Sequence, residues 1–215
     1  MVNVYIYPFL VLFSSFLIYI GITRAIKFSG MKIRIFSIII FFSLMCRYLS
    51  LIILMTSKSI IFLYLLKPFF YLNYLSLPIL AMVTIYIIMR NEKFQFKNII
   101  KISLILTLWY VILININPSY VKLSNFYGYK MYLQSPGYFY LFKAFANTLF
   151  LIFSISLLGK NCLDKKGVNL IIIASIIGIV EIVITMLGIR ILEEYILSDF
   201  CFIIAFVYAL GKLKK

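Results

Sequence analysis

Residues 35–55 read IFSIIIFFSLMCRYLSLIILM, twenty-one positions with a single charged side chain, Arg47, beyond the middle. A helix needs about 20 mostly apolar residues to cross the roughly 30 Å hydrocarbon core of a bilayer. This stretch supplies them, with no Gly or Pro to interrupt it. Working outward, six more stretches of the same kind follow at 4–22, 61–89, 99–114, 138–158, 168–187 and 196–210, each bounded by polar or charged clusters. Composition agrees: 65% of the 215 residues are hydrophobic and 13% charged, against roughly 45–50% and about 25% in soluble domains. A mean hydropathy of +1.10 leaves too little polar surface to wrap a water-soluble core. The chain therefore reads as an all-α, polytopic membrane protein: a single transmembrane domain over residues 1–215, built as a bundle of seven helices. Stretch 61–89 is too long for one perpendicular crossing. Its Lys67, Pro68 and Pro78 predict first turns in the outer interface and a kink further down.

Direction follows from the positive charges. Arg24, Lys27, Lys32, Arg34, Arg90, Lys93, Lys97, Lys101, Lys160, Lys165, Lys166, Lys212, Lys214 and Lys215 fall on one side, fourteen in all. Only Lys58, Lys67, Lys122, Lys130 and Arg190 fall on the other, while Arg47 and Lys143 lie within spans. Cytoplasmic loops collect Lys and Arg, so the N-terminus is expected outside and the C-terminus inside. No basic residue precedes the first span and no small-residue cleavage site follows it, so residues 1–22 are expected to stay as a helix rather than leave as a signal peptide. The net charge of +15 belongs to the lipid surface on this reading, and no nucleic-acid partner is expected.

Histidine is absent, which removes most zinc sites, Ser–His and Cys–His catalysis, and haem ligation through imidazole. Six acids and three well-separated cysteines (Cys46, Cys162, Cys201) complete a sparse chemical inventory. The spacing suits neither a disulfide framework nor a redox motif. No catalytic residue, metal or cofactor is expected, and the chain is not read as an enzyme.

The informative residues are ionisable groups inside spans, each of which costs at least about 2.5–3.5 kcal/mol on insertion scales and needs a reason. At 1.5 Å of rise per residue, Arg47 lies about 18 Å and Glu181 about 20 Å above the inner edge. Lys143 and Asp199 start from the outer edge and lie roughly 6–8 Å below it. All four share the outer half. Polar neighbours at helical spacing turn them inward: Ser43, Arg47 and Ser50; Asn73, Ser76 and Thr84; Ser103, Thr107 and Tyr110; Lys143, Asn147 and Ser154. Two explanations stand side by side. The charges pair and hold helices in register, with Lys143–Glu181 and Arg47–Asp199 as the expected pairs, or they line a hydrated cavity for a small zwitterion, an anion or a peptide terminus. The candidate ligand-binding residues are Arg47, Asn73, Lys143, Asn147, Glu181 and Asp199, with Lys67 as a further member at the rim.

Residues 115–137 form the longest connection, on the same side, rich in tyrosine (Tyr120, Tyr127, Tyr129, Tyr132). Partial alternation over 120–133 about Asn125-Phe126-Tyr127-Gly128 predicts a small hairpin. Its tyrosines are either an aromatic belt at headgroup level or a lid, residues 127–132, above the pocket.

Two segments carry a resemblance: Phe70-Tyr71-Leu72-Asn73-Tyr74-Leu75-Ser76-Leu77-Pro78-Ile79-Leu80, and Ser135-Pro136-Gly137-Tyr138-Phe139-Tyr140 at the end of the long connection. With the N-out layout, the chain resembles the seven-helix membrane sensor regions at the N-terminus of bacterial histidine kinases. That resemblance implies a receptor-like module sensing through its membrane portion. Because the sequence ends at Lys215, it implies a stand-alone relative that signals through an unidentified cytoplasmic or membrane partner. The alternatives are the substrate-binding membrane subunit of a small-molecule transporter, and an immunity or scaffold protein with no small ligand. Abundant Ile and Lys with only seven Ala suit an AT-rich bacterial genome and a multi-pass place in the cell membrane.

Overall fold

The computed structural model describes residues 2–57, 60–89, 95–123, 128–159, 164–188 and 195–213. Along the chain run α1 (Val2–Phe28), α2 (Met31–Thr56), a 3₁₀ segment (Ile61–Leu66), α3 (Lys67–Phe70), α4 (Asn73–Met89) and α5 (Phe96–Ile116). Strands β1 (Ser119–Leu123) and β2 (Tyr129–Leu133) follow, then α6 (Gly137–Leu158), α7 (Lys165–Met186) and α8 (Ile196–Gly211). Among the described residues, 6 helical runs are long and apolar enough to cross a membrane, and α8 is a shorter apolar helix. Its 16 residues measure about 24 Å end to end.

Large apolar side chains cover the outside of the bundle. Phe9, Phe16 and Tyr19 on α1, Phe42 on α2, Leu104 and Leu108 on α5 and Ile152 on α6 are all exposed. Helices tolerate such surroundings because their backbone hydrogen bonds are made internally. The interior belongs to α4, with thirteen of 17 residues buried, and to α8, with ten of 16. Helix α8 lies against α1, α4 and α7, and α6 against α7. Helix α5 is peripheral, with only Ile99, Ser103, Tyr110 and Ile114 buried.

The stretch at 61–89 is not one kinked helix. It breaks at Tyr71–Leu72, where the backbone turns through i→i+3 bonds such as Leu72 N–H to Phe69 O (3.3 Å), before α4 starts at Asn73. Pro68 begins α3, where its missing N–H costs nothing, and the break falls just after it. Pro78 lies inside α4, where it withholds one donation to the carbonyl of Tyr74.

The long connection forms a two-stranded antiparallel sheet, with Tyr120 opposite Tyr132 and Val121 opposite Met131. Of the expected turn, Asn125, Phe126 and Tyr127 lie outside the described residues. Lys58, Arg90, Lys93, Lys160, Cys162, Arg190, Lys214 and Lys215 do too. Gly128 seats the hairpin on the last turn of α2: a Cβ there would lie 2.6 Å from Met55 O and 2.7 Å from Leu54 O. Only glycine lets the two backbones come this close.

Candidate functional site

The site is organised by the N-terminus of α8. The first backbone N–H groups of a helix have no partner within it, and here they are buried in the bundle. Glu181 on α7 supplies what is missing: its carboxylate accepts from Leu197 N–H (3.2 Å) and Ser198 N–H (3.0 Å). Its negative charge also matches the positive end of the helix dipole. Tyr195 precedes this turn as the N-cap with φ of 57°, in the left-handed region that non-glycine residues seldom occupy.

In the same first turn, Asp199 is fully buried and serves two cations. Arg47 from α2 donates through Nη1 to Asp199 Oδ2, and Lys143 from α6 donates to Oδ1 at 3.3 Å. The Lys143 ammonium also lies 4.2 Å from the centroid of the Tyr195 ring. Three helices therefore meet on one carboxylate. The expected Lys143–Glu181 pair is not formed among the described residues. Lys143 goes to Asp199, and Glu181 is spent on the α8 amides, which the sequence pattern did not reveal as a demand. Lys67, expected at the rim, is spent similarly: its ammonium donates to Ile114 O (2.6 Å) and Asn117 O (2.7 Å), closing the C-terminal end of α5.

Beneath the hairpin lies a cavity of about 240 Å³. Arg47, Asn73 and Tyr74 line it, together with Phe70, Tyr71, Tyr140, Thr185 and Tyr195 from four further chain segments. The hairpin contributes Tyr120 and residues 130–133 of β2. Tyr120 and Tyr132 stack across the strands at 5.6 Å, and Met131 and Leu133 are buried. Asn73 is 3% exposed, and its side-chain amide has no hydrogen-bond partner among the described residues. The amide borders the cavity, and Asn147 Nδ2 nearby is buried with no hydrogen-bond partner among the described residues.

Of the six candidate ligand-binding residues, Arg47 and Asn73 line this cavity. Lys143 and Asn147 line a neighbouring void of about 20 Å³ that Asn73 also reaches. Asn147 presses on α7 where Gly178 makes room: a Cβ at Gly178 would lie 2.4 Å from Asn147 Nδ2. Glu181 and Asp199 line neither space. Ser43 and Ser50, expected as walls, are also absent from the lining, and Ser50 Oγ donates to Arg47 O at 2.6 Å instead. The Ser103–Thr107–Tyr110 stripe is likewise consumed locally, Tyr110 donating to Pro68 O. Sequence reasoning missed the tyrosines Tyr71, Tyr74, Tyr140 and Tyr195 as walls. Their spacing held a signal: Tyr140 precedes Lys143 by three residues and Tyr195 precedes Asp199 by four, each on one helix face.

At its other end α8 is held by surface groups. Arg24 donates to Val207 O (2.9 Å), and Tyr208 donates to Asp164 Oδ2 (3.0 Å), with Lys212 3.6 Å from the same oxygen. Tyr208 and Asp164 hold the Lys212 ammonium above its usual range. Cys46 and Cys201 are free, half-buried thiols.

Comparison with protein-family models, with curated proteins and with solved structures finds no match to this chain. What the site can do rests on its own chemistry. It offers flat aromatic walls, one buried amide and a guanidinium whose position is fixed by a carboxylate.

Proposed function

We propose that this chain is a receptor-like module of a bacterial cell membrane. It crosses the bilayer seven times, with the N-terminus and the hairpin outside and Lys215 inside. The cavity under the hairpin takes a small ligand from outside, and occupancy passes through α8 to a partner at the inner loops or the tail. The observation that carries this is a cavity of about 240 Å³, roofed by tyrosines and lined by Arg47 and Asn73. Helix α8 supports the second half, since it begins at the cavity wall with Tyr195 and ends beside Arg24 and Asp164. The resemblance of residues 70–80 and 135–140 to the sensor regions of histidine kinases supports the same reading.

Two measurements test it. Reporter fusions after Lys97 and Lys165 should behave as cytoplasmic, and one at Ser124 as external; any reversal ends the topology. In a chain whose three cysteines are replaced by Ser, Thr185→Cys should react with a membrane-impermeant maleimide added to intact cells. Reaction only after permeabilisation would remove the outward-facing pocket.

A further inference from the structure

The void beside the large cavity measures about 20 Å³, just above the roughly 10–15 Å³ that one water needs. Asn73, Lys143 and Asn147 line it among apolar side chains, and all three are buried. Asn147 is 4% exposed, and its Nδ2 has no hydrogen-bond partner among the described residues. An ammonium carries three N–H donors, and Asp199 Oδ1 accepts one from Lys143. Tyr74 and Pro78 line the same void, and Pro78 has no N–H to give the Tyr74 carbonyl. Polar groups of α4 and α6 thus meet around a space that one small molecule fills. Apolar voids of this size stay dry, whereas polar ones hold water that makes about three hydrogen bonds.

We infer that a single water molecule is bound here as a fixed part of the bundle, bridging α6 to α4. It accepts from Lys143 Nζ and the Asn147 amide, and donates to α4 through the Asn73 side-chain oxygen or the Tyr74 carbonyl. A metal cation in its place would face the Lys143 ammonium. An anion would leave the amide and carbonyl oxygens without a donor. Asn73 and Tyr74 also line the large cavity, so the water joins that wall to Asp199 through Lys143. The site stands whether or not the large cavity takes a ligand.

X-ray radiolysis of the full chain in lipid nanodiscs tests it, because hydroxyl radicals born from a bound water oxidise the side chains touching it even where bulk water has no access. Phe202 lines the void, while Phe206, one turn on along α8, lines neither space; they are 2% and 0% exposed. Phe202 should be oxidised at least about fivefold faster than Phe206 if a water is held against it. Asn147→Leu keeps the shape of the side chain and removes its polar atoms, and should bring the Phe202 rate down to that of Phe206. Equal, slow oxidation of the two rings in the unaltered chain would mean a dry void, and equal, fast oxidation general solvent entry; either result overturns the site. A Phe202 rate unchanged in a folded Asn147→Leu chain would overturn Asn147 as a partner of the water. Should that variant lose its fold, the two rings of the unaltered chain decide alone.

Discussion

The two ends of α8 are both fastened by charge, and they are fastened differently. At the hairpin end, Arg47, Lys143 and Asp199 meet with side-chain exposures of 2%, 8% and 0%. At the opposite end, Lys212 and Asp164 meet with 55% and 27% of their side chains exposed. Water can replace a lost partner at the second end and has little access to the first. The buried end is thus where a deletion does damage. The exposed end holds the helix without committing it.

The largest effect is expected from Asp199→Ala. It removes the carboxylate that Arg47 and Lys143 share, and breaking a buried pair costs about 3–5 kcal/mol. Arg47→Met should be milder, because a neutral Lys143–Asp199 pair survives; thermal midpoints by gel filtration in detergent should rank the two in that order. Equal losses would mean that Asp199 does not serve two cations. Gly128→Ala comes next, at about 1–3 kcal/mol, since its Cβ would meet the Met55 carbonyl and must shift the hairpin. Glu181→Leu should cost about 0.5–2 kcal/mol, the range for losing an N-terminal cap, and Glu181→Gln clearly less because one acceptor oxygen remains. Lys212→Gln should leave the midpoint unmoved, and a drop as large as that of Glu181→Leu would erase the contrast between the ends.

Much of the bundle is legible in sequence because lipid imposes length and apolarity on any crossing helix. The run at 35–55 shows this most simply. The break before Asn73 was hidden because nothing in Tyr71-Leu72 announces a turn; it follows from Pro68 and from Lys67 reaching across to α5, a tertiary event. Rise per residue put Arg47 and Asp199 at comparable depth, and in the structure they touch. The partner of Lys143 was not legible, since choosing between Glu181 and Asp199 depends on the demand of the α8 amides for an acceptor. That demand exists only once α8 begins inside the bundle. The tyrosine walls were obscured for a different reason: the same residue type marks the headgroup belt, so a tyrosine near the end of a span, such as Tyr140, carries no separate signal. A tyrosine reveals itself as a wall only when a neighbouring helix leaves space in front of it.

The shortness of α8 has an electrical consequence. A bilayer core of roughly 30 Å exceeds its length of about 24 Å by roughly one helical turn. On the proposed orientation, with the inner end of α8 at the inner edge of that core, the space above Tyr195 would open to the outside solution. Most of the membrane voltage then falls across the dry length of α8 and little of it across the cavity. A singly charged ligand at the top of α8 would traverse about one fifth of the field. With about 2.3 kcal/mol per charge per 100 mV across the full thickness, its binding changes by only about 0.5 kcal/mol per 100 mV. On the proposed orientation, binding in the cavity would be almost independent of how strongly the cell is polarised.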